Sequence, residues 1–198
     1  MIRVYLVLAI AILAIILFSK NINFISRMTS LSMSVLTASS LGLYSHVENN
    51  EMLSLFNGIF AVDSLNYIRL MLIAVVSLIV SFYSYGYIKT EIEDNKIDVF
   101  YARVYYFLFN LFVMSMLVVA LSTNVILMWM GLEATTLSTA LLIGFNRHEL
   151  SLEAAWKYVI ICSVGIALGL IGIVFFLFSI ANASYEATNW NYLISNYS

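Results

Sequence analysis

Apolar runs long enough to cross a bilayer recur six times along this chain, and only short polar stretches separate them. A bilayer core of about 30 Å takes ~20 apolar residues in helical form. Inside it every backbone N–H and C=O must find its partner within the protein, which leaves helices as the way across for runs of this kind. The expected architecture is therefore all-α: a polytopic membrane helix bundle of about six spans forming one transmembrane domain over residues 1–198. The spans fall at about 2–19, 28–44, 65–86, 104–121, 124–145 and 152–180. Composition agrees: 63% of residues are hydrophobic, 10% are charged and the mean hydropathy is +0.97. Average soluble domains are ~45–50% apolar and ~25% charged. A soluble enzyme, a disordered tail and a disulfide scaffold are excluded on that ground. A nucleic-acid partner is excluded by charge as well, since 9 Lys and Arg stand against 11 Asp and Glu.

The first run, 2–19, has one arginine before it ends at Lys20, and no small-x-small cleavage site stands clear of its end. It reads as a retained helix rather than a signal peptide. The second, 28–44, is the least apolar, with Ser30, Ser32, Ser34, Thr37, Ser39 and Ser40. Hydroxyls of this kind bond back to the preceding turn or across to a neighbouring helix, which makes the segment tolerable in lipid. Basic residues test the parse. Lys20 and Arg27 lie between spans one and two, Lys89, Lys96 and Arg103 between three and four, and Arg147 between five and six. The opposite side has only Arg3 and Arg69. Basic loops stay cytoplasmic, so both termini are expected on the outer side. Without the second crossing, Lys20 and Arg27 would fall on the wrong face.

The charged stretch 89–98 reads as a solvated cytoplasmic loop. The outer loop 45–63 contains Phe56-Asn57-Gly58-Ile59-Phe60, a weak hairpin signal. The polar and aromatic tail, 182–198, is expected at the interface. Cys162 lies in an apolar run and is the only cysteine, so it carries no redox information.

Two charged residues lie deep in spans. Glu133 stands about midway through the fifth, and Lys157 is five residues into the sixth. A charge at the bilayer centre costs ~2.5–3.5 kcal/mol on insertion scales and marks a task or a partner. The two spans form an antiparallel hairpin, and its depths let Glu133 and Lys157 approach each other directly or through water. A buried carboxylate is disfavoured as a charge by desolvation and favoured by a nearby ammonium; a group under both influences suits a proton relay. The alternative is a fixed ion pair that orients two helices. Both readings stay open here. Thr136 shares the face of Glu133 and could bond it or hold water. Glu153, one turn before Lys157, reads first as a charge favouring the helix N-terminus and second as a relay group. Asn110 in the fourth span needs a partner in lipid, by default across to another helix. Gly165, Gly169 and Gly172 line one face of the sixth span and read as a close-packing motif. His148 has no second ligand in view, so no metal site is expected; no bound cofactor and no catalytic residue are indicated either.

The residues Trp129-Met130-Gly131-Leu132-Glu133-Ala134-Thr135-Thr136-Leu137, followed by Ser151-Leu152-Glu153-Ala154-Ala155-Trp156-Lys157-Tyr158-Val159-Ile160, resemble the antiporter-like membrane subunits. These occur in respiratory complex I, multisubunit sodium/proton antiporters and membrane-bound hydrogenases, and the wording is most like the F-type component of hydrogenase-4. Val62-Asp63-Ser64-Leu65 through Tyr87, and Tyr106-Phe107-Leu108-Phe109-Asn110-Leu111-Phe112, resemble the family's third and fourth helices. The resemblance runs over about 60–180. It implies that Glu133 and Lys157 match the family's helix-five Glu and helix-six Lys, through which protons cross. It also implies partners: other membrane subunits and a peripheral redox arm that supplies the energy. The location implied is the cytoplasmic membrane of a bacterium or archaeon. Family members have about fourteen helices, including two broken ones and further lysines, and this chain has six spans and no proline. It is expected to be the N-terminal part of a longer or split protein, or a shortened paralogue. A proton-translocating subunit of a hydrogenase-4-like or complex I-like oxidoreductase is the leading reading. A structural membrane anchor and a small independent cation/proton carrier are the alternatives.

Overall fold

The protein is described by a computed structural model over residues 21–43, 53–55, 58–94, 96–145, 148–179 and 188–189. The first expected span, 2–19, lies outside the described residues, as does the tail beyond 179 apart from 188–189. Among the described residues five helices follow one another: α1 (Ile22–Gly42), α2 (Ser64–Glu93), α3 (Val99–Leu121), α4 (Val125–Ile143) and α5 (Glu149–Ser179). A two-stranded hairpin, β1 (Leu53–Leu55) and β2 (Phe60–Val62), stands between α1 and α2. The chain is an all-α membrane bundle. Among the described residues, α2 to α5 are long and apolar enough to cross a membrane.

α1 starts at Ile22, earlier than the apolar run at 28. Asn21 sets that start: its side-chain oxygen accepts from the Asn23 and Phe24 amides, two donors a helix N-terminus leaves open. Its hydroxyls do what lipid demands. Ser34 donates to the Ser30 carbonyl and Thr37 to the Met33 carbonyl. Ser40 also reaches Met71 Sδ of α2 at 3.3 Å. α2 runs on to Glu93, past the expected end at 86. Lys89, Glu91 and Glu93 are good helix formers, so the helix outlasts the apolar run. The solvated 89–98 stretch is thus partly the last helical turns of α2, where Lys89 and Glu93 pair at 3.7 Å. Lys96 in the following turn bonds Asp94 at 2.9 Å, and first that hydrogen bond, then the charges of Asp94 and Glu91, hold its ammonium above the usual lysine range.

The weak hairpin signal corresponds to a real hairpin, antiparallel with Leu53 opposite Val62 and Leu55 opposite Phe60. Gly58 in its turn has φ +84°, a left-handed conformation open to glycine at no steric cost. Thr123, at the α3–α4 junction, ties the hairpin down by donating its hydroxyl to Gly58 O at 2.6 Å and its amide to Ile59 O at 3.0 Å.

α3 is the centre. It packs on α1, α2 and α4, and half of its apolar stretch is buried. Met33 and Leu36 of α1, Leu70 and Ala74 of α2, and Val113 and Leu117 of α3 form the main buried cluster. A second cluster at the opposite end joins Ile25, Ile88, Ala102 and Tyr106. α4 lies against α3 through Gly131, where an added Cβ would sit 2.8 Å from Val119 Cγ2 and 3.3 Å from the Val119 backbone nitrogen. α5 packs chiefly on α4 and has no buried residue.

Candidate functional site

α4 and α5 meet in antiparallel register, and that register decides which polar groups face each other. Asn124 starts α4 by accepting from the Ile126 and Leu127 amides. Eight residues past Val125, the first residue of the helix, Glu133 lies about 12 Å along the axis at 1.5 Å per residue, near the middle of a 19-residue helix. Trp129 and Glu133 are one turn apart and share a face. Opposite them on α5 stand Ser163 and Ile166. Trp129 Nε1 donates to the Ile166 carbonyl at 2.9 Å. Ser163 Oγ donates to Glu133 Oε1 at 3.5 Å, the long end of a hydrogen bond. Glu133 is half-buried, so its carboxylate sits at mid-helix with a hydroxyl on one side.

Lys157 takes a different partner. Its Nζ bonds Glu153 Oε1 at 2.5 Å, one turn earlier on the same helix. Six residues separate Lys157 from Ser163, which puts the ammonium's attachment about 9 Å along the axis from the level of Glu133. Among the described residues no ion pair joins Glu133 to Lys157: the structure brings Glu133 to Ser163 and Lys157 to Glu153.

The supporting residues divide in the same way. Thr136 Oγ1 donates to the Glu133 backbone carbonyl at 2.8 Å rather than to its carboxylate. Thr135, Ser138 and Thr139 likewise bond back to the preceding turn. Glu153 is in the second turn of α5; the acid of the first turn is Glu149, so the helix-start reading of Glu153 is corrected to a side-chain pair with Lys157. Asn110 is buried, but Nδ2 donates to the Tyr106 carbonyl of its own helix at 2.8 Å, where a bond to another helix was expected. In α3 the i−4 carbonyl is always within reach of a short amide side chain, and it wins. Gly165, Gly169 and Gly172 face open space within this chain, with no atom within 4 Å of where a Cβ would stand. The close-packing glycine is Gly131. Ser163 and Gly131 are the residues sequence reasoning missed. Gly131 carried a readable signal, since Thr135 and Thr139 follow it at the same four-residue spacing. Ser163 had none until the register of α4 on α5 was known. Among the described residues no group of His, Cys, Asp and Glu could hold a metal.

An apolar bundle of this kind, with a carboxylate at mid-helix, defines a class: polytopic membrane proteins with an intramembrane protonatable group. Comparison with known proteins narrows it. Residues 122–196 match the family model described as NADH:quinone oxidoreductase/Mrp antiporter, TM. The chain is 38% identical over 120 residues to a hydrogenase-4 component F homolog of Methylacidiphilum infernorum, covering 61% of this chain and 25% of that protein. It is 33% identical over 159 residues to F(420)H(2) dehydrogenase subunit N of Methanosarcina mazei, covering 79% of this chain and 31% of that protein. A chain of respiratory complex I from Thermus thermophilus with bound aureothin shares the fold, with a TM-score of 0.70 and 22% identity over 92% of this chain and 37% of that one. The family model and these curated relatives together support the antiporter-like family of complex I membrane subunits as the one this chain resembles. It spans about a quarter to a third of the length of these two curated relatives.

Proposed function

We propose that the chain supplies part of a proton-translocation path in an antiporter-like membrane subunit, with Glu133 as the group that takes up and releases the proton. The single observation that carries this reading is a half-buried carboxylate at the middle of an apolar helix whose polar neighbour is a hydroxyl, not a cation. A structural carboxylate in lipid is held by a fixed opposite charge; among the described residues no cation pairs with this one. Ser163 Oγ can donate to the carboxylate and accept from the carboxylic acid, so it serves both states without rearrangement of the helices. Lys157, paired with Glu153 about 9 Å along the helix, acts as a charge modulator rather than a direct partner.

The same pair supports partner subunits. Glu153 and Lys157 are exposed on a helix whose apolar stretch is nowhere buried in this chain. Charges in hydrocarbon are expensive and face protein or water, so other membrane helices cover this side of α5. We infer that the assembly is a hydrogenase-4-like or complex I-like oxidoreductase in a bacterial or archaeal cytoplasmic membrane, with a peripheral redox arm driving the path. Glu133→Gln in the assembled complex is the test. Proton uptake into vesicles should be abolished or strongly reduced with the complex still assembled. Wild-type uptake in the variant would overturn the reading, and loss of the whole complex would favour a structural role.

A further inference from the structure

A groove between α2 and α4, floored by α3, is built unlike the site at Glu133. α2 and α4 flank α3 and scarcely touch each other. Between them, toward the membrane interior, lies a cavity of about 250 Å³ walled by Leu72 and Ile73 of α2 and Leu132 of α4, with Met116 and Ala120 of α3 as its floor. A second cavity of about 320 Å³ continues toward the helix ends and is lined by Asp63, Asn66, Ser122, Thr123 and Asn124. Arg69 lines both, and so does Val119. Polar groups therefore gather at one end: hydroxyls, amides and a carboxylate at the helix ends, set among Leu65, Val125 and Met128, then a guanidinium, then a stretch whose one hydroxyl, Thr135, is committed to the Gly131 carbonyl. Arg69 is five residues past Ser64, about 7.5 Å into α2, the depth at which long basic side chains meet the headgroup boundary.

Asn66 prepares the arginine. It is buried, donates Nδ2 to the Ala61 carbonyl of the hairpin at 2.9 Å, and accepts from the Arg69 guanidinium through Oδ1. Arg69 is thus aimed by a neutral partner, with donors left for an anion. Its exposure and the half-open walls, with Leu72 at 64% and Leu132 at 41%, leave the groove open at the surface of the described chain.

We propose that this groove binds a membrane phospholipid: one acyl chain between α2 and α4, the phosphate on Arg69, and an amine headgroup toward Asp63. The order of polarity selects an amphiphile over a free anion, because the hydrocarbon half of the groove has nothing to offer inorganic phosphate. The carboxylate at the outer lip selects an amine-bearing headgroup over an anionic one, since charge complementarity decides between otherwise equal partners.

The test is native mass spectrometry of the delipidated, detergent-solubilised full chain titrated with phosphatidylethanolamine, phosphatidylglycerol and the chain-free headgroup glycerophosphoethanolamine. The expected result is one tightly held phosphatidylethanolamine, weakened about tenfold by Arg69→Gln, which on the scale of tenfold per 1.4 kcal/mol is one charge-assisted contact. Arg69→Lys should recover part of that loss. Leu132→Trp, at an exposed position where folding is not at stake, should weaken binding by filling the hydrocarbon half. Asp63→Asn should narrow the preference over phosphatidylglycerol. Unchanged phosphatidylethanolamine binding in both Arg69→Gln and Leu132→Trp would overturn the proposal. So would competition by glycerophosphoethanolamine equal to that of the whole lipid, which would make this a soluble-phosphate site.

Discussion

The two ends of this bundle hold themselves together differently. α1, α2 and α3 share buried side chains, and their polar groups close on one another: Tyr105 OH bonds Ser84 Oγ at 2.7 Å, and Thr37 Oγ1 reaches the Ala74 carbonyl at 3.4 Å. α4 is half in that packing, through Gly131. α5 is outside it, with no residue buried, joined to α4 by an indole bond and a serine. In lipid no hydrophobic gain separates the two arrangements, so close fit and hydrogen bonds decide stability. Among the described residues the first region is thus the one whose helices close on one another. The second presents chemistry and an uncovered surface, and its stability belongs to whatever packs on α5.

The contrast can be broken at several points. Leu117→Ala in α3 should cost about 2–4 kcal/mol, whereas Leu168→Ala, exposed on α5, should stay within ~0.5 kcal/mol. Detergent-denaturation titrations of the solubilised chain compare the two, and equal losses would erase the division. Gly131→Ala should come next, at about 1–3 kcal/mol, because the new methyl meets the stiff Val119 side chain and the backbone behind it. Gly169→Ala, by the same measurement, should cost nothing and could gain up to ~1 kcal/mol in helix propensity. Tyr105→Phe removes one interhelical hydrogen bond and should cost about 0.6 kcal/mol, the membrane average. Lys157→Met should change the stability of the isolated chain by less than ~1 kcal/mol, since its pair with Glu153 is exposed there; a larger effect in the assembled complex would locate the covering partner. The smallest effect is at the α2–α3 turn. Lys96 is raised by Asp94, so its contribution is fully present below the ordinary lysine value of 10.5 and is lost only as pH rises through the still higher folded value. Amide protection factors in that turn, corrected for the base-catalysed intrinsic rate, should therefore be flat across the neutral range and fall only in strong alkali.

Which parts of this were readable in the residues follows from what hydropathy measures. It located α2 to α5 because burial in lipid is their common property, and it found α1 with the help of the basic residues. It misplaced helix ends because a helix stops at caps, not at the last apolar residue: Asn21 starts α1 before the apolar run, and Lys89 to Glu93 extend α2 beyond it. Glu133 and Lys157 stood out because charge in such a context is rare. Their partners did not, since pairing depends on the register of α4 on α5, which no single helix encodes. The glycines show the same limit. Gly165 and Gly169 are able to pack closely, but only the neighbour decides, and the neighbour in this chain met Gly131.

Glu133 is proposed to carry a proton within the membrane, with Ser163 as its hydrogen-bonding partner. Infrared difference spectroscopy of the membrane-embedded protein across a pH step tests it most directly. The expected result is a carboxyl band that vanishes in Glu133→Gln and moves to higher frequency in Ser163→Ala, where the hydroxyl donor is gone. A band unchanged in both variants, or no pH-responsive carboxyl at all, would contradict it.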